Sequence, residues 1–118
     1  MGNAERFSLR PRLRVVSGVE IALGPGKAEL LEGVRRTGSL RAAARQQGMS
    51  YMRAWKLVRM MNRSFRDPLV EYARGGKSHG GASLTKTGEK VLALYREMER
   101  ASLRVNAAAW KRLRALLD

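Results

Sequence analysis

Apolar residues recur at helical spacing on either side of Gly48: Leu40, Ala43 and Ala44 before it, and Tyr51, Ala54, Trp55, Leu57, Val58, Met61 and Phe65 after it. Such periods predict two helices, each turning one face to a core. Ser39 and Ser50 stand just ahead of them as N-caps, because a serine hydroxyl accepts from the free amides of a first helical turn. Gly48 follows the first helix, where a left-handed residue is usually needed and glycine adopts it without strain. A connection this short with a glycine inside it is the layout of a helix-turn-helix. Ala44 is small enough to let the two helices cross closely.

Other periods flank this motif. From Arg12 to Gly24, Leu13, Val15, Val19, Ile21 and Leu23 alternate with charged or small residues around Ser17-Gly18, which predicts a β-hairpin covering the edge of the core. Pro25 suits a helix start. Leu30, Leu31 and Val34 continue that helix for about three turns until Gly38 stops it, with Glu29 and Glu32 near its N-terminal half, where they suit the helix dipole. After Phe65, Asp67-Pro68 ends the second motif helix. Leu69 to Tyr72 and Ala82 to Thr85 then pair as a second hairpin, whose glycine-rich basic tip carries Arg74, Lys77 and Ser78. This is a wing.

From Thr85 to Asp118 the pattern is that of one long helix, with Asn106 as its place to break. The 33 residues from Lys86 would extend ~50 Å as a continuous helix. Its stripe of Val91, Leu94, Tyr95, Met98, Ala101, Val105, Ala109 and Leu116 is longer than one small domain buries. A second copy of the chain is the simplest cover, so the pattern predicts a homodimer. The expected fold class is mainly α with small β: a flexible basic arm over 1–10, a winged helix-turn-helix over 11–85 and a C-terminal dimerisation helix over 86–118.

Charge sharpens this picture. The 118 residues carry 24 Lys and Arg against 10 Asp and Glu, a formal net charge of +14. Between Gly33 and Arg66 there are nine cations and no acid. A solvated helix face ordinarily mixes signs to gain pairs one turn apart, so the run points to an external anion, nucleic acid first. On the second motif helix Met52, Arg53, Lys56, Arg59, Met60 and Arg63 fall on the arc opposite the core, and this arc is the expected contact face.

Other chemistry finds little support. There is no cysteine and a single histidine, His79, set in the glycine-rich tip. Gly76-Lys77-Ser78 resembles the end of a phosphate-binding loop, but Glu71 stands where that loop needs its first glycine. The carboxylates are scattered. No cofactor, metal or catalytic site is expected, and no enzyme activity. No apolar run approaches the ~18 residues that span a bilayer, so the expected location is cytoplasmic, with no membrane partner.

The stretch RRTGSLRAAARQQGMSYMRAWKLVRMMN, followed by PLVEYARGGKSHGGASLTKTGEKVLALY, resembles the N-terminal DNA-binding domain of the ModE type of molybdate-responsive transcription regulators, which is related to the LysR-type winged helix. The most specific pieces are MSY-x-x-AW at Met49 to Trp55, LVE at Leu69 to Glu71, and the glycine pattern from Gly75 to Thr85. The resemblance implies a dimer held by the C-terminal helix and the N-terminal region, with the second motif helix in the major groove. By that likeness Ser50, Tyr51, Arg53 and Lys56 lie at the DNA, and Arg74, Lys77 and Ser78 reach the flanking backbone. Ser39, Arg41, Met52, Arg59 and Arg63 complete the expected contact set. Met52 stands where similar sequences often carry a basic residue.

The molybdate-binding region of such regulators is not among these residues, so this chain alone is expected not to sense the oxyanion. Regulation would then come from a separate effector-binding protein on the C-terminal helix, or from the amount of protein made. The expected function is sequence-specific binding of double-stranded DNA in transcription regulation. The alternatives are a basic RNA- or ribosome-associated module, which should display exposed aromatics on a sheet, and, more distantly, a membrane-surface role for the last helix through Leu113, Leu116 and Leu117.

Overall fold

The computed structural model describes residues 6–73 and 81–118. Hairpin β1 (Val15–Ser17) and β2 (Glu20–Leu23) precedes three helices: α1 (Pro25–Thr37), α2 (Leu40–Gln46) and α3 (Tyr51–Ser64). A second hairpin, β3 (Val70–Tyr72) with β4 (Ala82–Leu84), leads into α4 (Lys86–Val105) and α5 (Ala107–Arg114). Both two-stranded sheets are antiparallel.

The core lies where α1, α2, α3 and α4 meet. Leu30, Leu31 and Val34 of α1, Leu40 of α2 and Val58 and Met61 of α3 are buried there with Leu69, Leu92 and Tyr95. Tyr51, Trp55, Leu57 and Phe65 are half-buried against it, as the period of α3 predicts. Ala44 is buried, and a second close approach lies between α1 and α2: a Cβ on Gly33 would lie 2.8 Å from the Ala43 Cβ. Only glycine lets these helices approach so closely.

Local signals set the helix ends. The Ser39 hydroxyl accepts from the Ala42 amide at 3.0 Å, and the Ser50 hydroxyl from the Arg53 amide at 3.1 Å. Gly48 adopts φ 72°, so the turn between α2 and α3 needs the conformation glycine supplies. The Thr85 hydroxyl caps α4 by accepting from Gly88 N–H at 2.9 Å, and it donates to the Pro68 carbonyl at 2.7 Å. Gly88 in turn lies against Leu69, whose carbonyl oxygen would sit 2.1 Å from an added Cβ.

The wing strands are tied back to α3 by one side chain. In β3, paired with β4 in the register Val70 to Leu84, Val70 directs its N–H and C=O to Asn62. The Asn62 Oδ1 accepts from Leu69 N–H at 2.8 Å and Val70 N–H at 3.2 Å, while its Nδ2 donates to the Val70 carbonyl at 3.1 Å. This side-chain amide does for the strand what a neighbouring strand would do.

One expectation needs correction, and three others take a more definite form. The first hairpin covers little: β1 is exposed throughout and only Leu23 of β2 is buried, because a two-stranded ribbon has no second layer. Residues 9–12, where the arm meets the domain, line a cleft with Glu99, Arg100 and Leu103 of α4, and Arg6 donates to the Asp118 backbone oxygen at 2.9 Å. Glu29 and Glu32 lie past the first turn of α1, where they face Arg96 of α4 at 3.7 and 3.6 Å. The long helix breaks where its pattern predicts: α4 ends at Val105, and Asn106 turns its side-chain amide back to the Ser102 carbonyl at 2.8 Å before α5 begins.

Candidate nucleic-acid interface

Helix α3 presents its cations on the side that the core leaves free. Met52, Arg53, Lys56, Arg59 and Arg63 are all exposed, whereas Ala54, Val58 and Met61 point inward. Among the described residues none of these four cations has a carboxylate within 4 Å; every ion pair belongs to Arg35 or Arg96. Arg96 binds Glu99 at 3.0 Å besides Glu29 and Glu32, and Arg35 binds Glu32 and Glu89. The carboxylates in these pairs, Glu29, Glu32, Glu89 and Glu99, lie on α1 and α4. The cations of α3 are left for something outside the chain.

Aromatic rings hold part of this surface. The Arg41 guanidinium lies 4.5 Å from the centroid of the Tyr51 ring, and Arg59 lies 5.4 Å from that of Trp55. Stacking of this kind restrains a long side chain while leaving its donors free. It also joins the start of α2 to the start of α3. Ser39 and Ser50 are engaged as caps through their hydroxyl oxygens, which keep their protons to donate. Arg74, Lys77 and Ser78 lie outside the described residues.

Met60 does not join the exposed face. It is half-buried and, with Met49, Arg53 and Leu57, lines a cleft of about 570 Å³ between α3 and the first hairpin. Arg12, Arg14, Lys27 and Glu20 form the opposite side. Lys27 is only 8% exposed and its ammonium donates to the Ile21 carbonyl. Burial lowers its pKa below the ordinary lysine value, against the raising effect of Glu20. Nothing in the period of α1 marks Lys27 as buried, and the hairpin that buries it is remote from α3 in sequence.

The proposed dimer stripe divides in two. Leu94, Met98, Val105, Ala109 and Leu116 are exposed and Val91 and Ala101 are half-buried. Tyr95, in contrast, is 0% exposed and its hydroxyl donates to the Leu13 carbonyl at 2.8 Å, so it belongs to the protomer's own core. Leu103 and Leu113 are exposed as well. No residue of α5 is buried. No helix of the described residues is long and apolar enough to cross a membrane.

A helix-turn-helix followed by a β-hairpin, with unpaired cations along its second helix, defines the winged helix-turn-helix class of DNA-binding domains. Residues 26–89 match the bacterial regulatory helix-turn-helix proteins of the lysR family, and the chain belongs to that family. Its relatives include the molybdenum-pterin-binding protein MopB of Rhodobacter capsulatus, 47% identical over 77 residues that cover 65% of this chain and 28% of MopB. The molybdenum transport protein ModE of Azotobacter vinelandii is 36% identical over 88 residues, 75% of this chain and 33% of ModE. The DNA-binding transcriptional dual regulator ModE of Escherichia coli is 39% identical over 71 residues, 60% of this chain and 27% of the regulator. The chain thus spans at most a third of these relatives. Among solved structures, the CbnR_DBD–DNA complex superposes with a TM-score of 0.52 at 22% identity, over 75% of this chain and 92% of that one, which is a likeness of fold.

Proposed function

We propose that this protein is a sequence-specific regulator of transcription that binds double-stranded DNA as a homodimer, with α3 in the major groove and the wing on the flanking backbone. The observation that carries the reading is the row of exposed cations on α3 that have no carboxylate among the described residues. Such side chains release counterions from phosphates, and those that reach base edges select the site. The DNA-binding regulator ModE among its relatives supports this assignment. The division of labour follows: residues 11–85 hold the duplex, 86–118 join two copies, and the N-terminal residues serve as an accessory basic segment in the cytoplasm.

Arg53→Ala should cost ~1–3 kcal/mol on the preferred site and relax sequence choice, whereas Lys77→Ala should weaken all duplexes alike. Equal losses on specific and random DNA for both variants, titrated at fixed salt, would remove the distinction. The dimer brings two copies of α3 about one DNA turn apart, ~34 Å, or a multiple of it. Its cover is the exposed row of Leu94, Met98, Val105 and Leu116. Light scattering of Met98→Glu should report a monomer with weakened DNA binding; a dimer of unchanged affinity would refute this interface. We assign no molybdate-selective site to the residues of this chain, and a separate effector-binding protein is the proposed regulatory partner. Calorimetry with molybdate against sulfate tests that, and saturable binding selective for molybdate would overturn it.

A further inference from the structure

The cleft between α3 and the first hairpin has the size and chemistry of a small-molecule site. Its volume of about 570 Å³ falls within the range of roughly 300–1,000 Å³ typical of ligand pockets. Arg12, Arg14, Lys27 and Arg53 line it against a single carboxylate, Glu20. None of these four cations has a carboxylate within 4 Å among the described residues. Lys27 uses its donor on the Ile21 carbonyl, and an ammonium has three N–H groups to offer. The rest of the lining is apolar, with Ile21, Met49, Leu57 and Met60 prominent.

We infer that this cleft binds a small organic anion, an aromatic or alicyclic carboxylate, and that its occupancy is coupled to DNA binding through Arg53. The cations select negative charge. The apolar lining selects an organic body over a phosphate, since a strongly hydrated oxyanion gains nothing from thioether and aliphatic walls. Arg53 stands in the first turn of α3 and also lines the cleft, so an anion that holds its guanidinium withdraws it from a base edge. The coupling rests on the DNA-binding reading above; the pocket does not.

The test uses the full chain labelled for amide NMR and three probes: 2-naphthoate, its neutral analogue 2-naphthylmethanol, and inorganic phosphate. Naphthoate should give saturable shifts at the amides of Gly26, Lys27, Leu57 and Met60, binding about tenfold tighter than the alcohol because its contacts are charge-assisted. Phosphate should not saturate. Arg14→Gln, on the exposed hairpin side, should weaken naphthoate about fivefold. Naphthoate should lower DNA affinity by the same factor by which DNA lowers naphthoate affinity. Equal binding of the alcohol, saturable phosphate at the same amides, an unaffected Arg14→Gln variant, or shifts confined to Val105–Leu116 would each overturn the pocket. Naphthoate and DNA bound without mutual effect would overturn the coupling. A chain that fails to bind DNA in the absence of naphthoate would refute the DNA reading instead, while the naphthoate titration still decides the pocket.

Discussion

Replacing Asn62 by alanine removes three hydrogen bonds between α3 and the start of the wing. Leu69 and Val70 are 0% and 2% exposed, so water does not replace the lost partner, and their N–H groups are left without an acceptor. At about 1 kcal/mol net for each bond the loss is ~3 kcal/mol. Alanine's better helix propensity returns about 0.5 kcal/mol. The expected cost of Asn62→Ala is therefore ~2.5 kcal/mol, a large share of the 5–15 kcal/mol typical of a domain. Asn62→Asp keeps an acceptor for both N–H groups but sets a carboxylate oxygen against the Val70 carbonyl, so it should lose less, ~1–2 kcal/mol. Urea unfolding with an unchanged slope reads both values. An alanine variant within 0.5 kcal/mol of the parent, or an aspartate variant less stable than alanine, would refute the claim that Asn62 serves as the missing neighbour of β3.

Two glycines should respond in opposite directions to alanine. At Gly88 the new Cβ meets the Leu69 carbonyl oxygen, an overpacking cost of ~1–3 kcal/mol or more that outweighs the ~1 kcal/mol gained in propensity; at Gly26 nothing lies within 4 Å, so alanine should stabilise by up to ~1 kcal/mol. Thermal unfolding checks both, and a stabilised Gly88→Ala variant would overturn the packing argument. Tyr95→Phe should cost about 1 kcal/mol by leaving the Leu13 carbonyl without its donor. Burial, and then the charge of Glu99, push the Tyr95 phenol above its ordinary value. The folded state thus keeps a proton that the unfolded chain releases, and this contribution to stability is full below pH about 10 and lost as the pH rises beyond it. Denaturation in alkali should therefore be less steep in Tyr95→Phe than in the parent, and identical pH profiles would refute the assignment.

The parts of the fold that could be read from sequence are those governed by residues a few positions apart. Ser39, Gly48 and Ser50 set the turn between α2 and α3 through bonds within three residues, so their types were sufficient. Tyr95 could not be assigned in this way. Its place in the helical stripe is the same whether the stripe meets its own core or another molecule, and its partner, Leu13, is 82 residues away. Lys27 and Arg53 line one cleft only because the first hairpin folds beside α3, a placement that alternation along Arg12 to Gly24 does not specify. The exposed cationic face of α3 was legible because charge of one sign is visible without a fold. Its stacking of Arg41 on Tyr51 was not, since the two residues lie on different helices.

The confinement of ion pairs to Arg35 and Arg96 on the seam of α1 and α4 also acts before any contact forms. With four carboxylates engaged on α1 and α4 and the guanidinium groups of α3 without an ion pair among the described residues, the positive charge of a molecule of net charge +14 is least compensated along α3. On the DNA-binding reading proposed above, such a body turns in the field of a polyanion as it diffuses, and encounters begin with α3 leading more often than chance orientation allows. Steering of this kind raises association rates by roughly 10- to 1,000-fold and fades as salt shortens the reach of the field. On the same reading, moving a carboxylate from the α1–α4 seam to the neighbourhood of α3 would slow arrival on every sequence alike, while leaving the lifetime on a preferred site to the proposed base contacts.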